Sequence, residues 1–393
     1  MGYNFVIQPF HDFRKWENEG YRTRDAHFFE HLRTNSEVDK VIVINRPLSL
    51  AERVLKHKKK SYSKGKIIFD ENGLAITELD SKTFIIDIFS NDFIKVLIQK
   101  RAWWDSVFRS EKTLSKIRRA LKQLGIEEFE LLVQNPMAVG LFEAFPEQHK
   151  IFDTIDNWLE HEQMRNISSI VRKNYNEVDK LADLIISVSA NNKKIFPTNT
   201  NFKEITNGVD FDKFNIIDGI SKGNTPIIGY VGKIQDRFDF ELLKKVAELN
   251  PNLQFNIYGP LLSGREKANE IEKSKKNVSF MREVAYDKLP RIINTFSVGI
   301  IPHTINEFTA SMNPLKLYEY LACGVPVVST GVNGTEKISE DIFIGNNISE
   351  FDKGIKKYCS SNTLVNSDEV RKSLPSYVSW ESKISQLLEF IKY

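Results

Sequence analysis

Asparagine, lysine and glutamate fall close together in MNPLKLYEYLACGVPVVST, residues 312–330. Asn313 before Pro314 reads as a helix N-cap followed by proline at the first helical position, where a missing N–H costs nothing. Leu315, Tyr318 and Ala322 then share one face and Gly324 supplies a left-handed stop, which predicts a helix over 314–323. Lys316 lies in its first turn, and helical side chains lean toward the N-terminus, so its ammonium can reach an anion held there. Glu319, three residues on, can hold two vicinal hydroxyls such as those of a ribose. The plainer alternative is a solvated Lys316–Glu319 pair worth ~0.3 kcal/mol. A second group sits in IIGYVGKIQDRFDFELL, residues 227–243, where an apolar strand ends at Gly232 and Lys233 and Arg237 precede a helix starting near Asp239. Glycine there permits close backbone approach, and the two cations suit a diphosphate.

These groups need a frame. Apolar runs in YNFVIQP, KVIVINRP, FELLVQNP and HKIFDTID read as buried strands, with helical spacing between them at 25–32 and 113–124. After the Gly-, Asn- and Asp-rich NGVDFDKFNIIDGISKGNT a second alternation begins, through PIIGYVG, NLQFNIYGP, NVSF, SVGIIP and VPVVST. Such alternation predicts two α/β halves, each a mostly parallel sheet covered on both faces. Ile384, Leu387, Leu388 and Ile391 form a stripe on a final helix that must dock somewhere. Across 393 residues, 55 Lys plus Arg against 52 Asp plus Glu leave a net charge of +3, too even for a general nucleic-acid binder. With 41% hydrophobic and 27% charged residues the chain is neither disordered nor fibrous. Two cysteines, Cys323 and Cys359, make no disulfide framework or zinc site, and no secretory leader is read in MGYNFVIQPF, so the cytoplasm is the expected compartment.

The order GYVGKIQDRFDFELL, NIYGP, NVSFM and NPLKLYEYLACGVPVVST resembles the C-terminal half of GT-B glycosyltransferases, in particular the GT4-like group of bacterial enzymes that build surface polysaccharides. HKIFDTIDNW and ITNGVDFDKF match the later part of the N-terminal half, so the resemblance covers most of residues 130–335. It implies two Rossmann-like domains facing across a cleft: 1–215 for the acceptor, 216–378 for the nucleotide-sugar, and 379–393 as a helix crossing back to the first. Glu319 then matches the ribose glutamate, Ser311, Asn313 and Lys316 the phosphate loop and helix start, and Gly232 and Lys233 the glycine loop at the diphosphate. Arg282 lies in the turn 281–284 that meets the base, and His303 and Glu307 lie on the loop near the transferred sugar. Many relatives carry a second glutamate where this chain has Ser311. On the acceptor side Asp156, at the end of an N-domain strand, occupies a place where relatives put a His or Asp facing the cleft. Asp153, three residues earlier, is the other carboxylate of this segment. Either carboxylate, or His11 after the first strand, is a candidate base for an acceptor hydroxyl, and either Asp can instead cap the next helix.

The implied activity is transfer of a sugar, a hexose, from a nucleotide-diphosphate donor to a glycan or lipid-linked acceptor in polysaccharide synthesis. No obligatory cofactor and no metal are expected, since no DxD pair stands at a strand end in the second half. A nucleotide-sugar 2-epimerase and a non-catalytic partner subunit share the fold and remain alternatives, whereas the lack of an opening GxGxxG argues against a nicotinamide enzyme. Residues 106–125 set Leu114, Ile117, Leu121 and Leu124 opposite Arg109, Lys112, Lys116, Arg118, Arg119 and Lys122. That cationic amphipathic helix, with Lys56, Lys58, Lys59 and Lys60, suits the inner, anionic face of a membrane; the alternative is a solvated helix packed on its own sheet.

Overall fold

The computed structural model describes residues 2–55, 64–220, 222–332, 334, 338–359 and 366–392. The chain divides into two compact units, Met1–Ile205 with Gln386–Tyr393, and Thr206–Ser385. In the first, strands β1 (Tyr3–Gln8), β2 (Val38–Ile44), β3 (Leu48–Ser49), β4 (Lys66–Glu71), β5 (Leu74–Asp80), β6 (Thr83–Ser90), β7 (Glu130–Val133), β8 (His149–Thr154), β9 (Leu184–Ser187) and β10 (Phe202–Glu204) form one sheet. Its order is β10-β9-β8-β7-β1-β2-β6-β5-β4, with β3 paired to β6. The central strands are buried on both faces, which is why Phe5–Ile7, Val41–Ile44 and Leu131–Val133 are unbroken apolar runs.

One edge departs from the expected parallel order. β5 runs antiparallel to both of its neighbours, β4 and β6, with β4 turning into β5 through Asn72 and Gly73 at φ 50° and 75°. Both positive values match the inward twist a two-residue hairpin turn requires, and Asn-Gly tolerates them.

The basic helix Glu111–Gln123 packs on this unit through Leu114, Ile117 and Leu121. Its charges are largely engaged. Lys116 Nζ donates to the carbonyls of Gly73 and Phe89, Arg118 pairs with Glu111, and Arg119 with Glu71. Arg109 meets Asp105, Glu143 and Glu177. The packed, solvated alternative is the one observed. Lys56, Lys58, Lys59 and Lys60 lie outside the described residues. Among the described residues no helix is long and apolar enough to cross a membrane.

The second unit holds β11 (Ile227–Val231), β12 (Gln254–Tyr258), β13 (Val278–Met281), β14 (Val298–Ile301), β15 (Val327–Ser329) and β16 (Ile342–Ile344), all paired in parallel in the order β13-β12-β11-β14-β15-β16. The Asn- and Asp-rich stretch read as a connection begins this unit, because Val209 and Phe214 are buried among its side chains. Val209 N–H donates to the carbonyl of Val378, and Trp380 N–H to that of Val209. The last helix, Trp380–Ile391, buries Ile384, Leu387 and Leu388 as its stripe predicts.

Candidate functional site

In the second unit the chemistry gathers where β11 and β14 end. The helix expected at 314–323 spans Leu315–Ala322 and is buried from Lys316 to Ala322, its two charged residues included. Pro314, not Asn313, occupies the N-cap position, and no side chain caps the helix start. Its first amides are therefore left for another partner. Asn313 is diverted to the chain start of this unit. Its Oδ1 accepts from the Asn207 N–H at 2.8 Å and from the Tyr318 hydroxyl at 2.9 Å, and its carbonyl accepts from the Asn207 amide. Gly324 stops the helix at φ 69°.

Lys316 is only 9% exposed, yet its Nζ lies over the Tyr230 ring, 5.1 Å from the centroid, rather than beside a carboxylate. Burial and the nearby Arg237 charge push its ammonium down to about 7, and Glu319 offsets this only in part. Gly232, at φ 139°, brings the β11 backbone beneath it; a Cβ there would stand 3.1 Å from Lys316 Cε. His303, fully buried after β14, is held well below its ordinary range by burial and by the Lys316 and Arg237 charges, so its ring is neutral. Its Nδ1 is buried without a hydrogen bond among the described residues, and its Nε2 is 3.5 Å from the Tyr230 hydroxyl. That hydroxyl also donates to the Lys233 carbonyl at 3.2 Å. A buried ammonium, a guanidinium and a helix start without a side-chain cap come together here, the kinds of donor that suit a compact polyanion.

Glu319 follows one turn later, 6% exposed, its Oε1 accepting from the Tyr286 hydroxyl at 3.1 Å. Tyr286 opens the short turn Tyr286–Lys288 just after the segment 281–284, so the carboxylate stands beside the expected base-contacting segment. Arg282 in that segment is exposed, and among the described residues no contact joins it to the cluster. Ser311 is buried and donates to the Phe308 carbonyl at 2.6 Å, closing the short helix Glu307–Ala310 in which Glu307 is exposed. Tyr230, Tyr286 and Asn207 are absent from the sequence reading. Tyr230 alternates with buried neighbours along a strand and looks like core, and only folding turns its ring toward Lys316.

In the first unit the three candidate bases separate. Asp153 is fully buried and receives the Arg24 Nε–H at 3.0 Å and the Gln134 amide at 2.9 Å. Its geometry corrects the expectation of a base: both oxygens serve a buried cation. Asp153→Ala should therefore remove the carboxylate facing the buried Arg24 Nε–H and cost about 3–5 kcal/mol of stability, read as a large drop in Tm. Asp156 is half-buried in the loop after β8, and its carbonyl accepts from the Tyr175 hydroxyl. His11 is the candidate that faces a buried carboxylate. Its Nδ1 is 3.5 Å from Asp25 Oδ2, its backbone N–H donates to that oxygen at 2.7 Å, and the Phe10 ring meets it edge-on. Asp25 is fully buried and also accepts from Trp16 Nε1 at 3.0 Å. Burial alone would raise its carboxyl, but the facing His11 imidazole and the hydrogen bond from the His11 backbone outweigh it and hold Asp25 down to about 2. Asp25 escaped the sequence reading because it lies in a helix whose spacing accounts for it.

Among the described residues, no three His, Cys, Asp or Glu side chains are placed to hold a metal ion. Residues 225–360 match the family model described as glycosyl transferases group 1. The Bacillus subtilis (strain 168) protein TuaH, whose name assigns it to teichuronic acid biosynthesis as a glycosyltransferase, is 23% identical over 208 residues, 50% of this chain and 52% of that protein. The chain thus spans about half the length of this curated relative in the match. The sucrose-phosphate synthase of Thermosynechococcus elongatus superposes with a TM-score of 0.70 at 11% identity, over 100% of this chain and 98% of that one. Anabaena HepE in complex with UDP-glucose superposes with a TM-score of 0.66 at 12% identity, over 99% of each chain.

Proposed function

We propose that this chain, which has the GT-B fold and carries a glycosyl transferases group 1 domain over residues 225–360, transfers a hexose from a nucleotide-diphosphate sugar to a glycan or lipid-linked acceptor in cell-surface polysaccharide synthesis. The observation that carries the reading is Lys316, a buried ammonium with no carboxylate on its Nζ among the described residues, beside Arg237 and a helix start without a side-chain cap. A diphosphate supplies the missing negative charge. As the bond between the sugar and the diphosphate breaks, charge grows on the leaving oxygen, and fixed donors aimed there stabilise the transition state more than the ground state. Glu319, braced by the Tyr286 hydroxyl, accepts from the two ribose hydroxyls. The neutral His303 ring donates to or accepts from a hydroxyl of the transferred sugar. His11, oriented by Asp25, takes the acceptor proton, and the Asp25 carboxylate stabilises the imidazolium so formed. The TuaH match supports a cell-wall polymer as product, and the HepE complex makes UDP-hexoses the first donors to test.

The test has two parts. The purified chain should release nucleoside diphosphate from one of a panel of UDP-, GDP- and dTDP-hexoses in an acceptor-dependent manner; donor interconversion without an acceptor would mark an epimerase. Glu319→Ala should weaken nucleoside diphosphate binding about ten-fold in calorimetry, the loss expected for a hydrogen bond to a charged group, while inorganic diphosphate binds as before. Equal nucleoside affinity in variant and parent would remove Glu319 from the ribose.

A further inference from the structure

The loops that leave β1 and β8 are not neighbours along the sheet of the first unit, because β7 stands between those strands. Aromatic rings join them across it. Trp158, buried in the loop after β8, meets the Phe10 ring edge-on, with centroids 5.3 Å apart and planes at 89°. Phe10 in turn meets the His11 ring at 4.6 Å and 76°. One hydroxyl fixes the loop after β8. Tyr175, on the helix Ser168–Leu181, accepts from the Trp158 N–H at 3.1 Å and donates to the Asp156 carbonyl at 3.2 Å. Its ring packs edge-on against Phe152 and Phe196, a place that phenylalanine would fill as well. The helical spacing of Val171, Tyr175 and Val178 accounts for that ring and leaves the hydroxyl unexplained. A buried hydroxyl costs stability unless it is hydrogen-bonded, and both partners of this one lie in the turn 156–158. Burial also pushes the hydroxyl well above its ordinary value, so it keeps its proton and stays a donor.

We infer that Tyr175 is a positioning residue for the acceptor side: its hydroxyl sets the turn 156–158, Trp158 seats Phe10, and Phe10 holds the His11 ring beside Asp25. The inference rests on the reading of His11 as the base. Two contacts then define the imidazole, the Asp25 carboxylate 3.5 Å from Nδ1 and the Phe10 ring. They do different things. The carboxylate supplies charge, and Coulomb attraction constrains direction weakly, whereas an edge-to-face contact sets the plane of a ring. A general base works only within hydrogen-bond reach of the proton it takes, and a displacement of about 1 Å lowers a rate steeply. In Tyr175→Phe the Trp158 N–H and the Asp156 carbonyl lose their shared partner. The turn between them is then free to shift, and the aromatic chain carries the shift to His11.

Two measurements on the full chain test this. In proton NMR of the histidine-labelled chain, with the His11 ring signals assigned by their loss in His11→Ala, Tyr175→Phe should move those signals and leave the His149 signals in place. Phe196→Leu thins the same core but keeps the hydroxyl; it should lower Tm at least as far as Tyr175→Phe and leave the His11 signals where they are. The second measurement is acceptor-dependent release of nucleoside diphosphate from the hexose donor that turns over, with isolated cell-wall glycan as the acceptor. Tyr175→Phe should lower kcat about ten-fold at an unchanged donor KM, while Phe196→Leu should match the parent. In a His11→Ala chain, Tyr175→Phe should cause no further loss. Unmoved His11 signals in Tyr175→Phe, an equal fall in kcat in Phe196→Leu, or a further ten-fold loss on top of His11→Ala would overturn the inference while leaving His11 as the base. A His11→Ala chain that transfers like the parent would overturn the base assignment, and the inference with it.

Discussion

Lys316→Met weakens nucleoside diphosphate binding about 100-fold or more and at the same time raises Tm. The two effects share one cause. In the unliganded protein the ammonium is buried over the Tyr230 ring, near Arg237 and a neutral His303, and its ordinary value of 10.5 falls to about 7. Desolvation is the larger cause and the Arg237 charge the second. A methionine of similar length removes the buried charge and should add on the order of 5 °C to Tm at neutral pH. The sign with pH is fixed. Between about 7 and 10.5 the unfolded chain holds the Lys316 proton and the folded chain does not, so this residue's contribution to stability rises with pH across that window. Below about 7 its penalty is complete, and above 10.5 it is gone. The Tm advantage of Lys316→Met should therefore shrink as pH climbs from 7 to 10.5. Binding runs the opposite way. A bound diphosphate raises the ammonium's affinity for its proton, so affinity is greatest below about 7 and declines as pH rises beyond it. Calorimetry across pH on both proteins checks this: an equal pH slope in the variant, or an unchanged affinity, would remove Lys316 from the diphosphate.

His11→Ala lowers the transfer rate about 100-fold, within the range by which a positioned general base contributes, and leaves nucleoside diphosphate binding unchanged. The separation is expected because His11 belongs to the first unit and the cation cluster to the second. Asp25→Asn keeps the shape but removes the anion that faces the ring, so it should lower the rate less than His11→Ala and shift its pH profile; Asp25 acts here as a positioning residue. Single-turnover transfer with saturating donor gives the rate, and calorimetry with nucleoside diphosphate gives the control. If His11→Ala turns over like the parent while Asp156→Ala does not, the proton goes to Asp156 instead.

How much of this was legible beforehand differs from residue to residue. Local pattern was enough for the apolar strands β1, β2, β7, β8 and β11–β15, the Leu315–Ala322 helix, the left-handed Gly324 and the placing of Lys316 and Glu319 one turn apart, because three- and four-residue spacing acts through immediate neighbours. The β4–β5 hairpin had its signal in Asn72-Gly73, which the parallel-sheet reading passed over.

Partners far apart in the chain could not be read. Arg24 reaches Asp153 across 129 positions, and Asn207 reaches Asn313 across 106. Period-two alternation places Asp153 and Asp156 near a strand end but says nothing of which one a distant arginine will occupy. Likewise Pro314 took the capping position because folding gave Asn313 other donors. Residue order alone determined which elements form and which side chains share a helix face. Tertiary structure decided which of those side chains lose water and meet charge, as desolvation and Coulomb interactions depend on distance in space and not along the chain.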